Sequence, residues 1–140
     1  MIVLDTDHLS VLKYHDSPLS RMLERKLDAA REPIFTIIVS VEEPLRGWLS
    51  FIKSQSHVTR LVVAYRELEI ALQFTHGFRI VPFDLASAEN FAALKRQRIR
   101  IGTQDLKIAA MVLANDAVLL SRNLKDFSKV PGLKVQNWLE

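Results

Sequence analysis

The sequence contains no cysteine, and no hydrophobic run in it is long enough to span a membrane. Without cysteine, disulfides and thiolate zinc sites are excluded, so any site chemistry must use carboxylates, hydroxyl groups or the four histidines. The N-terminus lacks the basic and long apolar regions of a signal peptide, and no apolar run approaches the ~18 residues that a bilayer requires. We therefore expect a cytoplasmic protein with no membrane association.

Neither sign of charge dominates the sequence. Nineteen Lys and Arg residues stand against sixteen Asp and Glu residues, which gives a formal net charge of +3. This mild excess is compatible with a polyanionic partner but does not require one. The 140 residues, 49% of them hydrophobic, fit a single domain over residues 1–140 that buries roughly two-thirds of its unfolded surface.

Short apolar segments alternate with segments of helical apolar spacing. Strands are predicted at residues 2–4, 34–41, 79–84, 117–121 and 133–138. Helical spacing is clearest at residues 8–14, 18–30, 57–74 and 86–97, and two further helices are expected to begin near residues 40 and 102. Pro82 places the third strand at or near a sheet edge, and the fifth is also expected at an edge. The alternation predicts a three-layer α/β/α sandwich around a mainly parallel five-stranded sheet.

An acidic residue directly follows the first predicted strand. Residues 2–4 are consecutive branched apolar residues, typical of a strand buried on both faces of a parallel sheet, and Asp5 comes next. Ligands of open α/β sheets bind outside the carboxyl ends of the strands, which would place Asp5 in a crevice. Capping of the following helix explains Asp5 equally well, so this residue alone leaves both interpretations open.

Three more acidic residues, Glu43, Asp105 and Asp126, are also expected at strand ends or helix starts. Each has a structural explanation of its own. Ser40 and Glu43 have the spacing of a capping box, in which the glutamate reaches back to the capping residue. Asp105 would complement the dipole of the helix that it opens, and Asp126 would brace the loop before Phe127.

Taken together, the four acids are expected on one side of the sheet. Four carboxylates do not stay ionised side by side without a cation, and a cluster of oxygen ligands suits Mg²⁺ or Mn²⁺. The reaction that such a site supports best is phosphodiester hydrolysis, in which the metal activates water and stabilises developing negative charge.

The densest basic cluster is the segment KRQRIR at residues 95–100, which includes Arg98 and Arg100. Such a cluster is usually a solvated surface. If it borders the acidic crevice, it would instead supply the phosphate contacts that position a nucleic-acid backbone.

Four segments, taken in order, resemble the motifs of the PIN-domain family and, within it, of the small VapC-type toxins. They are residues 4–7 (LDTD), 43–47 (EPLRG), 103–110 (TQDLKIAA) and 120–127 (LSRNLKDF). No single motif is specific, but the ordered set spans almost the whole chain. The resemblance implies a Mg²⁺- or Mn²⁺-dependent endoribonuclease, the toxin of a type II toxin-antitoxin pair.

The resemblance also implies roles for individual residues. The metal ligands would be Asp5, Glu43 and Asp105. Asp126 is expected to belong to the catalytic set, and the residues expected to orient the site or bind substrate are Thr6, Ser121, Asn123, Arg98 and Arg100.

The chain departs from the family pattern at three positions. Asp7 and Gln104 both stand where asparagine is common, and Pro44 follows the glutamate where leucine is usual. Glu42 beside Glu43 leaves a one-residue ambiguity, which the position of the glycine at residue 47 resolves in favour of Glu43. Among the histidines, only His8 is placed to touch substrate.

The resemblance further implies two protein partners. A cognate antitoxin would place its tail in the groove, with an arginine among the acids. A homodimer is also expected, with the apolar helices between residues 42 and 76 as the candidate surface.

Two alternatives differ in class from a ribonuclease. A receiver-like signalling domain would also bind Mg²⁺ at strand ends, but it needs a lysine after a late strand, where this chain has Ser121-Arg122-Asn123. A catalytically silent RNA-binding module of the same fold would differ only in lacking activity.

Overall fold

The computed structural model describes residues 1–140 and contains five strands and seven helices. In chain order they are β1 (Ile2–Leu4), α1 (Thr6–Lys13), α2 (Pro18–Ala30), β2 (Ile34–Ile37), α3 (Ile38–Ser54), α4 (Val58–His76), β3 (Arg79–Val81), α5 (Leu85–Arg96), α6 (Thr103–Ala114), β4 (Val118–Leu120), α7 (Leu124–Phe127) and β5 (Lys134–Gln136). None of these helices is both long enough and apolar enough to cross a membrane.

The strands form one sheet in the order β3-β2-β1-β4-β5, and every neighbouring pair is parallel. The predicted α/β fold is confirmed, with a sheet that is entirely rather than mainly parallel. β3 and β5 are the edge strands, as predicted for both. β1 lies at the centre between β2 and β4, so residues that follow β1 and β4 come together at one edge of the sheet.

The two faces of the sheet pack against separate hydrophobic cores. Along β1, Val3 faces the larger core, whereas Ile2 and Leu4 face the smaller one, as the twofold alternation of a strand requires. Ala109 and Ala110 of α6 are completely buried in the larger core. Their small side chains allow α6 to approach the sheet closely, which brings the start of α6 to the strand ends.

The predicted strand 34–41 is wrong in its second half. β2 ends at Ile37, and α3 begins at Ile38. The run is apolar and β-branched throughout, so its composition cannot distinguish a buried strand from a buried helix. Because Ser40 already lies inside α3, the predicted capping box between Ser40 and Glu43 does not form, and no side chain caps this helix.

Pro44 lies well inside α3 rather than near its start. Because proline has no backbone N–H, the carbonyl of Ser40 four residues earlier loses its helical partner. The hydroxyl of Ser40 is buried and also has no hydrogen-bond partner. The short helix α7 was not predicted, although Asn123 caps it by accepting from the Asp126 backbone N–H.

Candidate active site

Asp5 caps α1 and also contacts the end of the neighbouring strand β4. It is the N-cap of α1, where Oδ1 accepts a hydrogen bond from the Thr6 backbone N–H at 2.8 Å. Its other oxygen, Oδ2, accepts from the Ser121 hydroxyl at 2.8 Å. Ser121 directly follows β4, the neighbour of β1, so this bond joins the ends of two adjacent strands.

The carboxyl group of Asp5 is buried, with only 8% of the residue exposed. Burial raises its pKa from 3.8 to about 6. The hydrogen bonds from Thr6 and Ser121 lower the pKa, while the negative charges of Asp7 and Asp105 raise it. Near neutral pH, Asp5 is therefore a carboxylate in a place that disfavours its charge, and a bound cation would relieve that cost.

Asn123 connects Asp5 to two further acids. Its backbone N–H donates to Ser121 Oγ at 3.1 Å. Its side-chain amide donates to Asp105 Oδ2 at 3.2 Å and to Asp126 Oδ2 at 3.1 Å. The segment from Ser121 to Asn123, the β4–α7 loop, thus forms hydrogen bonds with three of the four predicted acids.

Asp105 lies in the first turn of α6. Burial raises its pKa above the ordinary value, and the charges of Asp126 and Glu43 raise it further. The Asn123 amide bonds both Asp105 and Asp126, and the charge of Glu43 also acts on Asp105, so acids from three separate segments lie near one another. We call Asp5, Glu43, Asp105 and Asp126 the carboxylate cluster.

Asp126 differs from the other members in having its own cation. Lys129 Nζ donates to Asp126 Oδ1 at 3.3 Å. The Asn123 amide and then Lys129 hold the pKa of Asp126 below its usual value. Asp126 is therefore an ionised carboxylate on the open side of the carboxylate cluster.

Glu42 and Glu43 point to different neighbours. Glu43 Oε2 accepts from the Thr6 hydroxyl at 3.1 Å, next to the end of β1. Glu42 pairs with Arg46 one turn later and accepts from Gln104 Nε2 at 3.2 Å. Glu43 is thus the glutamate in contact with the segment that carries Asp5.

Arg98 and Arg100 are exposed and lie between α5 and α6. Their side chains make no ion pair with the carboxylate cluster. The Arg100 carbonyl accepts from Lys129 Nζ at 3.2 Å, and the same ammonium group contacts Asp126. Lys129 therefore connects the basic segment at residues 95–100 to Asp126, on the open side of the carboxylate cluster.

The prediction that His8 touches substrate is wrong, because its ring is completely buried. Its Nδ1 lies 2.8 Å from Asp7 Oδ1, and its Nε2 accepts from the Trp138 backbone N–H at 3.2 Å. Burial would raise the pKa of Asp7, but hydrogen bonds from His8 and from the Arg122 backbone lower it below the ordinary value. In the sequence, the one indication of the His8–Asp7 contact is that the two residues are adjacent, and nothing indicates the contact with Trp138.

The carboxylate cluster has the donor chemistry of a divalent-cation site, although its side chains do not yet converge on one point. As the side chains stand, no three histidine, aspartate or glutamate side chains are close enough to share one metal ion. The donor chemistry nevertheless fits: Asp5, Glu43 and Asp105 offer only hard oxygens, and none of them forms an ion pair. By donor type and charge, these residues suit Mg²⁺ or Mn²⁺.

An open, largely apolar groove of about 880 Å³ runs along the side of α3 that carries Glu42. Its polar lining includes Glu42, Arg46 and Lys107. Its apolar lining comprises Ile38, Val39, Val41, Leu45, Leu49 and Phe83.

Comparison of the sequence with known families gives a match to the PIN domain over residues 2–133. Among curated proteins, ribonuclease VapC1 of Rickettsia felis is 40% identical over 62 residues. That match covers 41% of this chain and 46% of the relative, so about half of the relative's length is spanned.

Solved structures match over nearly the whole chain. VapBC2 from Rickettsia felis, bound to a promoter DNA fragment, gives a TM-score of 0.70 at 23% identity and covers 99% of both chains. DNA-bound VapBC from Salmonella typhimurium gives a TM-score of 0.72 at 22% identity, covering 98% of this chain and 97% of that one. At this level of identity the similarity establishes the fold.

Proposed function

The chain belongs to the PIN-domain family, and on that premise we propose that it is a Mg²⁺- or Mn²⁺-dependent endoribonuclease, the toxin of a type II toxin-antitoxin pair. The curated relative with the 40% match is named a ribonuclease. The structural neighbours are VapBC complexes, which include DNA-bound assemblies. Because the chain belongs to the PIN-domain family, the receiver-like signalling domain is no longer an alternative.

The observation that carries the proposal is the convergence of carboxylates from four segments. Asp5 follows β1, Glu43 lies in α3, Asp105 begins α6 and Asp126 lies in α7. Two of them, Asp5 and Asp105, have raised pKa values and form no ion pair, so their ionisation destabilises the fold. A bound cation would account for their presence.

In this proposal Asp5, Glu43 and Asp105 hold the metal ion. When bound, such an ion activates water for attack on a phosphodiester and stabilises the negative charge that develops on the phosphate. The chain's other residues keep the ligands in place: Thr6 orients Glu43, Ser121 orients Asp5 and Asn123 orients Asp105.

Asp126 and the basic segment act on the open side of the carboxylate cluster. Asp126 shares the Asn123 amide with Asp105 and adds negative charge beside it. Arg98 and Arg100 are exposed and free to contact phosphates of an RNA strand that reaches the acids. Because the proposed substrate is RNA, we place the protein in the cytoplasm.

The proposed protein partners fit two apolar surfaces. An antitoxin segment would occupy the groove along α3, with a basic side chain directed to the acids. A second copy of the chain would pack against apolar side chains exposed along α3 and α4, namely Phe51, Val58, Val62, Tyr65 and Leu72.

The test is RNA cleavage by the purified chain with and without Mg²⁺ or Mn²⁺. We expect metal-dependent cleavage that falls by more than about 100-fold in Asp5→Asn and Asp105→Asn, since even the outer partners of metal ligands account for 10- to 100-fold. Asp116→Asn, an exposed change on the same fold, is the matched control and should cleave like the wild type.

Two results would contradict the proposal. Equal cleavage by the wild type and both site variants would show that the activity is a contaminant. RNA binding without cleavage at any metal concentration would instead favour the silent RNA-binding module.

A further inference from the structure

The ring of His8 links the region of the carboxylate cluster to the segment after β5. It is completely buried, and each ring nitrogen has one partner: Asp7 Oδ1 at 2.8 Å and the Trp138 backbone N–H at 3.2 Å. A backbone N–H can only donate, so Nε2 accepts. The ring hydrogen is therefore on Nδ1, which donates to Asp7.

The carboxylate of Asp7 accepts hydrogen bonds on both of its oxygens. Oδ1 accepts from His8 Nδ1 and from the His8 backbone N–H at 2.7 Å. Oδ2 accepts from the Arg122 backbone N–H at 2.9 Å. Arg122 is the middle residue of the β4–α7 loop, between Ser121 and Asn123.

This arrangement explains why aspartate occupies position 7, where the related motif commonly has asparagine. All the partners of Asp7 are donors, and His8 cannot change its tautomer without facing the Trp138 N–H with a second donor. An amide at position 7 would direct its own NH₂ group at one of these donors. Asp7 and His8 are thus a matched pair.

We propose that His8 is a positioning residue for the site, an inference that rests on the proposed ribonuclease function. His8 fixes Asp7, and Asp7 fixes the β4–α7 loop through Arg122. That loop holds Asp5 through Ser121 and Asp105 through Asn123. Loss of the His8 bond therefore loosens two proposed metal ligands that His8 does not itself touch.

Two substitutions separate this role from simple packing. His8→Asn keeps a donor at the place of Nδ1, whereas His8→Gln keeps an acceptor toward the Trp138 N–H and is closer to histidine in volume. If His8 only fills space, His8→Gln should cleave RNA faster than His8→Asn. If His8 positions Asp7, His8→Asn should cleave RNA faster than His8→Gln.

We expect His8→Gln to lower kcat for cleavage of a mixed-sequence single-stranded RNA by about 10- to 100-fold with KM nearly unchanged. His8→Asn should recover most of that loss. His15→Gln, which replaces an exposed histidine, is the control and should leave both constants unchanged. Equal kcat in the two His8 variants, or a better glutamine variant, would overturn the proposal.

Nuclear magnetic resonance supplies a readout that does not depend on activity. The His8 ring should show a protonated Nδ1 and an unprotonated Nε2. Hydrogen exchange of the Arg122 amide should be faster in His8→Gln than in His8→Asn or the wild type. The opposite tautomer, or equal exchange in both variants, would contradict the link through Asp7.

The same experiments distinguish failure of this inference from failure of the proposed function. If the wild type does not cleave RNA, the ribonuclease function fails, whereas the link from His8 through Asp7 to the β4–α7 loop is still decided by the His8 tautomer and by Arg122 hydrogen exchange. If the wild type cleaves, Asp105→Asn does not, and the two His8 variants behave alike, only the positioning role is wrong.

Discussion

Ser121 donates its hydroxyl hydrogen to Asp5 Oδ2 at 2.8 Å, across the gap between the ends of β4 and β1. The two residues are 116 positions apart in the sequence, and the parallel register of the two central strands brings them together. Because Ser121 also accepts from the Asn123 backbone N–H, this one hydroxyl connects Asp5 to the rest of the carboxylate cluster.

The first prediction concerns this hydroxyl. Ser121→Ala removes a fully buried group with two hydrogen-bond partners and leaves both partners unsatisfied. We expect a loss of about 1–3 kcal/mol in the free energy of unfolding, measured by urea denaturation, together with reduced RNA cleavage. Ser128→Ala, which removes an exposed hydroxyl bonded to a carbonyl, is the control. Equal unfolding curves for the two variants would refute the expectation.

The second prediction follows from the burial of Asp5. Its pKa is about 6 in the folded chain against 3.8 as the ordinary value, so the folded state binds a proton more tightly than the unfolded state. The metal-free chain is therefore expected to lose stability as pH rises from about 4 to about 6, by up to roughly 3 kcal/mol, and to stay at the lower level above that range.

Asp5→Asn removes this pH-dependent loss. Without divalent metal, we expect the stability of the variant to stay level between about pH 4 and about pH 6, the range in which that of the wild type falls. Added Mg²⁺ should stabilise the wild type by mass action and leave the variant unchanged. A wild type whose stability does not fall over this pH range would show that the buried charge is not costly, and a variant stabilised by Mg²⁺ as much as the wild type would show that Asp5 does not bind the ion.

The third prediction concerns the acid at position 7. Asp7→Asn brings an NH₂ group against either the exposed Arg122 N–H or the buried His8 ring, so one of these two donors loses its acceptor. We expect the free energy of unfolding to fall by about 0.5–1.5 kcal/mol, the contribution of one hydrogen bond. Asp16→Asn, an exposed change, should have no measurable effect. An Asp7→Asn variant as stable as the wild type would show that the amide satisfies both neighbours.

The sequence predicts the buried strands and the positions of the acids that follow them for the same physical reason. A strand buried on both faces must be apolar, so an acid directly after it, such as Asp5, marks the strand end and the crevice together. At residues 38–41 that logic fails, because a helix packed on the sheet is as apolar as a strand. The wrong strand end also explains the wrong capping box at Ser40 and Glu43, because α3 begins at Ile38 and has no side-chain cap.

The resemblance to PIN-domain motifs predicts Asn123 as an orienting residue, but the sequence predicts neither its hydrogen-bond partners nor those of His8. Asn123 bonds both Asp105 and Asp126, and His8 bonds Asp7 and the segment at Trp138. These contacts depend on how distant segments meet in three dimensions, and neither the spacing nor the composition of the local sequence reports them. Asparagine after a strand and histidine beside an acid are too common in proteins to indicate such links.

The last prediction decides between two adjacent glutamates. Glu43→Gln removes the charge next to Thr6 and Asp105, whereas Glu42→Gln removes a charge that pairs with Arg46 and contacts Gln104. Both changes remove one negative charge from the same turn of α3, so they alter helix propensity and net charge alike. If Glu43 is the metal ligand, RNA cleavage should fall by more than about 100-fold in Glu43→Gln, because the loss of a residue that only orients a ligand already costs about 10- to 100-fold. In Glu42→Gln, cleavage should fall by less than about threefold.

Calorimetric titration with Mn²⁺ should show weakened binding only for Glu43→Gln. The reverse order would assign the ligand to Glu42 and would place the metal on the side of the α3 groove.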